Sequence, residues 1–184
     1  MSARLRVVVS GTHASGKTTL IDDFVDAHPG IGRWGDPYEL VDDAFDAPDA
    51  AAFAEQLALS AHRLLHDDES GTVIAERGPI DFLAYLAALV ELGRAAAGSL
   101  DRARARTAEA MQRVDLLVVL PLPFRDDLPV AADEDPELRA AMNDALLDLV
   151  DDPALVGDAR VVEVSGDRDA RLAALESAVA SLLT

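Results

Sequence analysis

The residues best equipped for chemistry form a short segment near the N-terminus. Residues 11–18 read GTHASGKT, which fits the pattern G-x-x-x-x-G-K-[ST] at every fixed position. Glycines in such a loop let successive backbone N–H groups point inward around an anion, and the following helix adds its partial positive charge. Lys17 is the only lysine among the 16 basic residues, so lysine is kept where a compact charge must enter a phosphate cradle. The predicted nucleotide site consists of Gly11, Thr12, His13, Ala14, Ser15, Gly16, Lys17, Thr18 and Thr19.

A magnesium ion and phosphoryl groups are the natural ligands of such a site. Lys17 is expected to reach the β- and γ-phosphates, and the Thr18 hydroxyl to ligate Mg²⁺. Glu76 and Arg77 are the last two residues of a strand predicted over 72–77, at the sheet edge where α/β folds gather ligands. We expect Glu76 to hold Mg²⁺ and Arg77 to contact the phosphates or an acceptor. The alternative is an ion pair between these two neighbours at a strand end.

Asp36 supplies a second carboxylate, which follows a weak second strand. At the same sheet edge, it could accept a proton from an acceptor hydroxyl. Trp34 and Tyr38 flank it and either form an aromatic wall or are ordinary core or surface residues. Asp115 precedes its strand, which places it at the opposite edge, so it is interpreted as structural.

Two arginines lie in a segment of different character, residues 123–150, which carries acidic clusters and prolines. Phosphoryl-transfer enzymes often bring an arginine from a mobile segment onto the transferring phosphate, so Arg125 and Arg139 are candidates for that role. Surface ion pairs are the alternative for both. The chain lacks the Asn-Lys-x-Asp segment that specifies guanine, which argues against a switch GTPase.

Apolar runs separated by turn residues predict the elements that must position these side chains. Strands are expected over 4–10, 31–35, 72–77, 114–120 and 160–164. Helices are expected over 17–28, 49–66, 80–97, 100–113 and 167–182, with a further helical pattern inside 123–150. Strands alternating with helices predict a parallel sheet covered on both faces. The interpretation is one α/β domain over residues 1–184, with residues 123–150 as a lid.

Composition narrows the classes of partner. The formal net charge of −18 repels phosphate backbones, so a nucleic-acid partner is not expected. The longest apolar runs are about nine residues, well short of the roughly 20 that span a bilayer, so no membrane partner is expected. The chain has no cysteine, which excludes disulfides and thiolate chemistry. These features predict a cytoplasmic protein.

The order of the motifs resembles a known family. After the loop come Asp36-Pro37-Tyr38, then Phe53 with Gln56-Leu57, and then residues 76–86, which read ERGPIDFLAYL. This series resembles bacterial P-loop proteins often labelled AAA family ATPases. It is similar to the ATP-binding domain of ribosylnicotinamide kinase and, more distantly, to deoxynucleoside kinases.

The resemblance implies a fold and a set of roles. It implies a three-layer α/β/α P-loop NTPase fold with a five-stranded parallel sheet in the order 2-3-1-4-5 and a helical lid that bears arginine. Asp36 would serve the acceptor hydroxyl, Gln56 would read the acceptor beside Tyr38, and Glu76 with Arg77 would bind Mg²⁺ and phosphate. Asp36 stands where glutamate is usual, and Gly78 replaces a common serine, which leaves the acceptor open.

The leading hypothesis from the sequence is a Mg²⁺- and ATP-dependent kinase that acts on a small hydroxylated molecule, with nucleosides as one candidate class. Its catalytic residues would be Lys17, Asp36, Arg77 and Arg139, with the acceptor bound by Asp36, Tyr38, Gln56 and Arg77. The competing hypothesis is an NTP-binding regulatory protein or slow ATPase with no small-molecule acceptor. A homodimer is compatible with either.

Overall fold

A central parallel sheet organises the chain. The computed structural model describes residues 4–37, 49–68, 70–122 and 135–183. The strands are β1 (Arg6–Ser10), β2 (Gly32–Trp34), β3 (Val73–Glu76), β4 (Leu116–Val119) and β5 (Arg160–Glu163). They lie in the order β2-β3-β1-β4-β5, and every pairing is parallel. The predicted sheet and its order are therefore confirmed.

The register brings the functional candidates to one edge. Val9 near the end of β1 lies beside Glu76, the last residue of β3, and beside Val118 of β4 on the other side. The loop that follows β1 therefore leaves the sheet at its centre, between two neighbours that end at the same level. This edge carries the carboxyl ends of all the strands, where open α/β sheets bind ligands.

Helices cover both faces of the sheet. They are α1 (Lys17–Ala27), α2 (Ala50–Leu65), α3 (Pro79–Glu91), α4 (Leu100–Met111), α5 (Pro136–Val150), α6 (Pro153–Val156) and α7 (Arg168–Leu182), with a 3₁₀ turn over Ala97–Ser99. Helices α1 and α7 pack against one face, and α2 to α6 form the layer on the other. The short helix α6 was not predicted. Helix α3 ends at Glu91 rather than at 97, because the Leu89 carbonyl accepts hydrogen bonds from Arg94 N and Ala95 N and closes the helix end.

Two apolar cores hold the layers together. Phe53 and Phe82 are fully buried between the sheet and the larger helical layer, and Ile21 and Phe24 are buried beneath α7. Burying a side chain of this size stabilises the fold by about 1.5–3 kcal/mol. The valines of β1 alternate between the two cores, so this strand must be apolar on both faces.

Part of the acidic excess caps helices. The N-cap side chains of four helices accept hydrogen bonds from backbone N–H groups of the first turn, which otherwise have no partner. These side chains belong to Asp49, Asp135, Asp152 and Asp167. Helix α5 thus begins right after the part of the expected lid, 123–134, that lies outside the described residues.

No described helix combines the length and apolar character needed to cross a membrane.

Candidate functional site

The loop between β1 and α1 has the backbone of an anion cradle. Gly11 has φ +155°, and a Cβ there would lie 2.7 Å from Ser15 Oγ and 2.8 Å from the Leu120 carbonyl oxygen. Gly16, the N-cap of α1, has φ +90°, a left-handed conformation that side chains disfavour. Both fixed glycines of the motif are therefore required by geometry. The loop leads directly into the positive end of α1, where an anionic phosphate is stabilised.

Lys17 lies inside this loop. Its side chain is 4% exposed, and Nζ donates a hydrogen bond to the Thr12 carbonyl at 2.7 Å. Burial, and after it the charge of Arg77, lower the pKa of Lys17 from 10.5 to about 7, although Asp81, Glu76 and Asp36 oppose the shift. The ammonium is thus incompletely solvated, and among the described residues no carboxylate is in direct contact with it. A phosphate in the cradle would supply that anion.

This pKa predicts that nucleotide binding is coupled to proton uptake. Bound phosphates favour the charged ammonium and raise the pKa of Lys17 above its value of about 7 in the free protein. Below pH 7 Lys17 is already charged, whereas above pH 7 each ATP bound must bring a proton with it. We therefore expect the ATP affinity to fall above pH 7, by up to about tenfold per pH unit.

Calorimetry in buffers of different ionisation enthalpy measures that proton directly. At a pH well above 7, wild type should take up close to one proton per ATP, and Lys17→Arg, which is always charged, should take up none from this position. Equal uptake by both proteins would show that the proton goes elsewhere.

Thr18 and Glu76 meet beside the loop. Thr18 Oγ1 donates a hydrogen bond to Glu76 Oε1 at 2.7 Å, and Glu76 is buried at the end of β3. A hydroxyl and a carboxylate are hard oxygen donors, and Mg²⁺ in phosphate sites typically takes one or two protein ligands of this kind. The donor set therefore fits Mg²⁺.

Asp115 lies at the opposite edge, where its Oδ2 accepts a hydrogen bond from Arg6 N at 2.6 Å, in keeping with a structural role.

Arg77 pairs with Asp36 rather than with its neighbour Glu76. Its Nε donates to Asp36 Oδ2 at 2.7 Å, and its Nη1 donates to Tyr85 Oη at 3.3 Å. Arg77 has φ +62°, a left-handed conformation that is costly for a residue with a side chain and that clusters at functional sites. Burial opposes the charged guanidinium, but the electrostatic contributions of Tyr85, Asp36 and Asp81 hold the pKa of Arg77 above its ordinary value. The structure thus keeps a buried cation and a carboxylate together.

Two stacked aromatic rings lie beside the Asp36–Arg77 pair, in the helical layer. Tyr85 stacks on Phe53, with ring centroids 4.4 Å apart and planes 3° from parallel. Gln56 lies one turn further along α2; it is buried, and its Oε1 accepts no hydrogen bond from the described part of the chain. Trp34 is buried in the core beneath the guanidinium of Arg63, whose Cζ is 4.4 Å from the ring centroid. Tyr38 lies outside the described residues.

Two arginines that are distant in sequence hold the outer side of the loop. Arg139 of α5 is buried, and its Nε donates to the His13 carbonyl at 3.0 Å. Arg171 of α7, which sequence analysis missed, donates from Nη1 to the Ser15 carbonyl at 2.9 Å. Arg139 therefore lies next to the predicted nucleotide site, whereas Arg125 falls outside the described residues. No local pattern marks Arg171, because its partner is 156 positions away.

The remaining loop positions divide by exposure. Thr12 and Ser15 are buried, whereas Thr18 and Thr19 are exposed at the start of α1. His13 is exposed, and its backbone carbonyl is the part that Arg139 binds. His13 thus contributes backbone to this arrangement.

Asp81 is a buried carboxylate that sequence analysis did not single out. Its oxygens accept hydrogen bonds from Ser10 Oγ at 2.6 Å, Gly11 N at 2.9 Å and Gly78 N at 2.9 Å. Burial raises the pKa of Asp81, although the charge of Arg77 and these hydrogen bonds oppose the shift. Asp81 lies three residues after the N-cap Gly78 and accepts the hydrogen bond from Gly78 N, which is the half of a capping box that a glycine allows; an acidic residue in the first turn of a helix is the local signal that could have found it. Asp81 ties the start of α3 to the first residue of the loop.

Asp81→Asn should destabilise the protein by about 1–3 kcal/mol, because an amide presents N–H groups to donors that the carboxylate now satisfies. The free energy of unfolding in urea measures the change. Asp167→Asn is the matched control, since Asp167 is an exposed N-cap and Asn caps helices as well as Asp does. Equal stability of the two variants would contradict the role of Asp81 in joining β1 to α3.

Known structures share this fold at low sequence identity. Thymidylate kinase from Candida albicans is 16% identical with a TM-score of 0.68, and the match covers 97% of this chain and 92% of that chain. Deoxyadenosine kinase from M. mycoides with bound dATP is 12% identical with a TM-score of 0.72, covering 96% and 100%. The NadR protein in complex with NR is 17% identical with a TM-score of 0.70, covering 98% of this chain and 52% of that one.

These likenesses establish the fold of nucleoside and nucleotide kinases of the P-loop class. Among curated proteins, none matches the sequence significantly. The AAA domain family matches residues 6–171, from the start of β1 into the first turn of α7. Because that match takes in the whole sheet and the loop at its centre, the chain belongs to the AAA domain family of P-loop proteins.

Proposed function

We propose that the protein is an ATP- and Mg²⁺-dependent phosphotransferase whose acceptor is a small molecule with a hydroxyl group, with nucleosides as the first class to test. The observation that carries this proposal is the ion pair between Asp36 and the buried Arg77, which lies at the same sheet edge as the phosphate loop. A protein that only hydrolyses ATP needs the loop and the metal ligands. A second carboxylate with a buried cation suits an acceptor hydroxyl.

The donor side comprises the loop residues with Thr18 and Glu76. Loop N–H groups and the start of α1 would bind the phosphates, and Lys17 would turn from the Thr12 carbonyl onto the β- and γ-phosphates. Thr18 and Glu76 would hold Mg²⁺, which would supply positive charge to offset the negative charge of the phosphates. Arg139, whose Nε donates to the His13 carbonyl, would neutralise charge on the transferring group.

The acceptor side comprises Asp36, Arg77, Tyr85, Phe53 and Gln56. Asp36 would accept the hydrogen of the attacking hydroxyl while its pairing with Arg77 fixes its position. Phosphoryl transfer passes through a loose transition state, so orienting the hydroxyl matters more than a strong base. The proton reaches Asp36 as the new O–P bond forms and the bond to ADP breaks.

The acceptor class follows from the polar and aromatic groups available. Gln56 Oε1 is a buried acceptor, which favours a ligand that presents an N–H or O–H donor. The buried, stacked rings of Tyr85 and Phe53 place aromatic side chains one turn of α2 away from Gln56. A nucleoside presents N–H and O–H donors together with a flat base, and the name of one structural neighbour, deoxyadenosine kinase, supports the same class.

Formation of ADP from Mg-ATP, with and without pooled nucleosides or pooled small polyols, tests the proposal. We expect stimulation by one pool together with a product heavier by one phosphoryl group in mass spectrometry. Lys17→Met provides the blank for contaminating activity. A slow rate that no pool changes would contradict the kinase and favour an acceptor-independent regulatory ATPase.

A further inference from the structure

Arg33 lies against the carboxylate assigned to magnesium. It is the middle residue of β2, and its Nη2 is 3.7 Å from Glu76 Oε2. The other oxygen, Glu76 Oε1, accepts the hydrogen bond from Thr18 Oγ1 at 2.7 Å. The two oxygens of Glu76 therefore face different partners, one on the nucleotide side and one on the side of β2.

A second carboxylate restrains Arg33. Its Nη1 donates a hydrogen bond to Asp22, which lies one turn beyond Thr18 on α1. The Arg33 side chain is 37% exposed, whereas that of Glu76 is 7% exposed. The guanidinium is therefore partly solvated, whereas the carboxylate is enclosed by protein. Asp22 and Glu76 share one arginine between them.

We propose that Arg33 sets the affinity of the site for Mg²⁺ by competing with the ion for Glu76. This inference rests on the proposed function, since it takes Thr18 and Glu76 as the metal ligands. A guanidinium beside Glu76 repels a divalent cation and neutralises part of the charge that attracts it. The bond to Asp22 draws the guanidinium away and limits this competition.

The ratio of two dissociation constants measures the effect without any turnover. Binding of ADP is measured by calorimetry in excess EDTA and in excess MgCl₂. The dissociation constant in EDTA divided by that in MgCl₂ gives the contribution of the metal to the affinity for ADP. Arg33→Gln should raise this ratio by about three- to tenfold, because the competing charge is gone. Asp22→Asn should lower the ratio, because the guanidinium of Arg33 then loses its other carboxylate partner and interacts more strongly with Glu76.

Two further proteins separate competition at Glu76 from a general charge effect. Arg168→Gln removes an exposed arginine of α7 that pairs with Asp23, the neighbour of Asp22 on α1. This variant should leave the ratio unchanged. In a Glu76→Gln background, Arg33→Gln should change the ratio less than about twofold, because the group competed for is no longer charged. In an Arg33→Gln background, Asp22→Asn should have no effect.

An unchanged or smaller ratio in Arg33→Gln would overturn the inference, as would the same gain in the Glu76→Gln background. A wild-type ratio near one would overturn both the magnesium site and the role of Arg33. Failure to phosphorylate any acceptor would refute the kinase but leave the ratio measurable. The two failures are thus distinguishable.

Discussion

Lys17→Met should reduce ATP turnover by about 10²- to 10³-fold, the loss typical of removing a preorganised charge from a transition state. Lys17 carries a positive charge on a flexible side chain that lies inside the loop. Its Nζ is 2.7 Å from the Thr12 carbonyl oxygen. Methionine has a similar length and no charge, so the cavity stays filled. Steady-state ADP formation measures the loss.

The same variant should fold at least as well as wild type. Burial lowers the pKa of Lys17 to about 7, which means that the native state disfavours the charged ammonium that the unfolded chain carries near neutral pH. Because the unfolded state binds more protons between about pH 7 and 10, wild type gains stability from this group as the pH rises through that range, and methionine removes the penalty present below it. Thermal unfolding at pH 7 should show an equal or higher Tm.

Lys17→Arg separates charge from shape. Arginine keeps the positive charge, but its planar fork does not replace a compact ammonium inside the loop. We expect Lys17→Arg to be as inactive as Lys17→Met. A Lys17→Met protein with more than about a tenth of wild-type turnover would contradict the assignment of the loop as the catalytic nucleotide site.

Asp36→Asn should reduce transfer to the acceptor by about 10²-fold or more while changing the ATP dissociation constant less than about threefold. The carboxylate lies on Arg77 at 2.7 Å, away from the loop N–H groups that would bind phosphate. Asparagine keeps an oxygen for Arg77 Nε but accepts a proton far more weakly. ATP affinity by calorimetry and kcat with the acceptor measure the two effects separately.

Acceptor-independent ATP hydrolysis gives Asp36→Asn a second measurement. This slow reaction uses the donor side alone, so it should survive the substitution. Tyr85→Phe is the matched control, because it removes the other hydrogen bond to Arg77 and keeps the carboxylate. If Asp36→Asn weakens ATP binding and transfer to the same degree, Asp36 serves the structure of the site and the assigned role is wrong.

The corrections to the predicted elements are local. Helix α3 ends at Glu91 because backbone donors close its end, an effect that apolar periodicity does not reveal. Helix α6 spans only four residues, too few for a periodic signal. These differences leave the sheet edge unchanged, because the strands are set by apolar runs that must fit between two helical layers.

Local spacing along the chain was enough to predict several parts of this protein. Fixed glycines and Lys17 specify the phosphate loop, and apolar runs specify strands and helices. Glu76, Arg77 and Asp36 could be placed at one sheet edge because each lies at or just after the end of a strand and all carboxyl ends of a parallel sheet face the same way.

The contacts between polar groups that are distant in sequence could be identified only from the tertiary structure. Asp81 reaches Gly11, Arg171 reaches Ser15 and Arg33 reaches Glu76 across separations that no periodicity encodes. Arg77 pairs with Asp36, 41 positions away, rather than with its neighbour Glu76, and it does so from a left-handed backbone conformation. Buried polar groups must find partners wherever the packed layers bring them, so sheet order and helix packing, rather than sequence spacing, set these pairs.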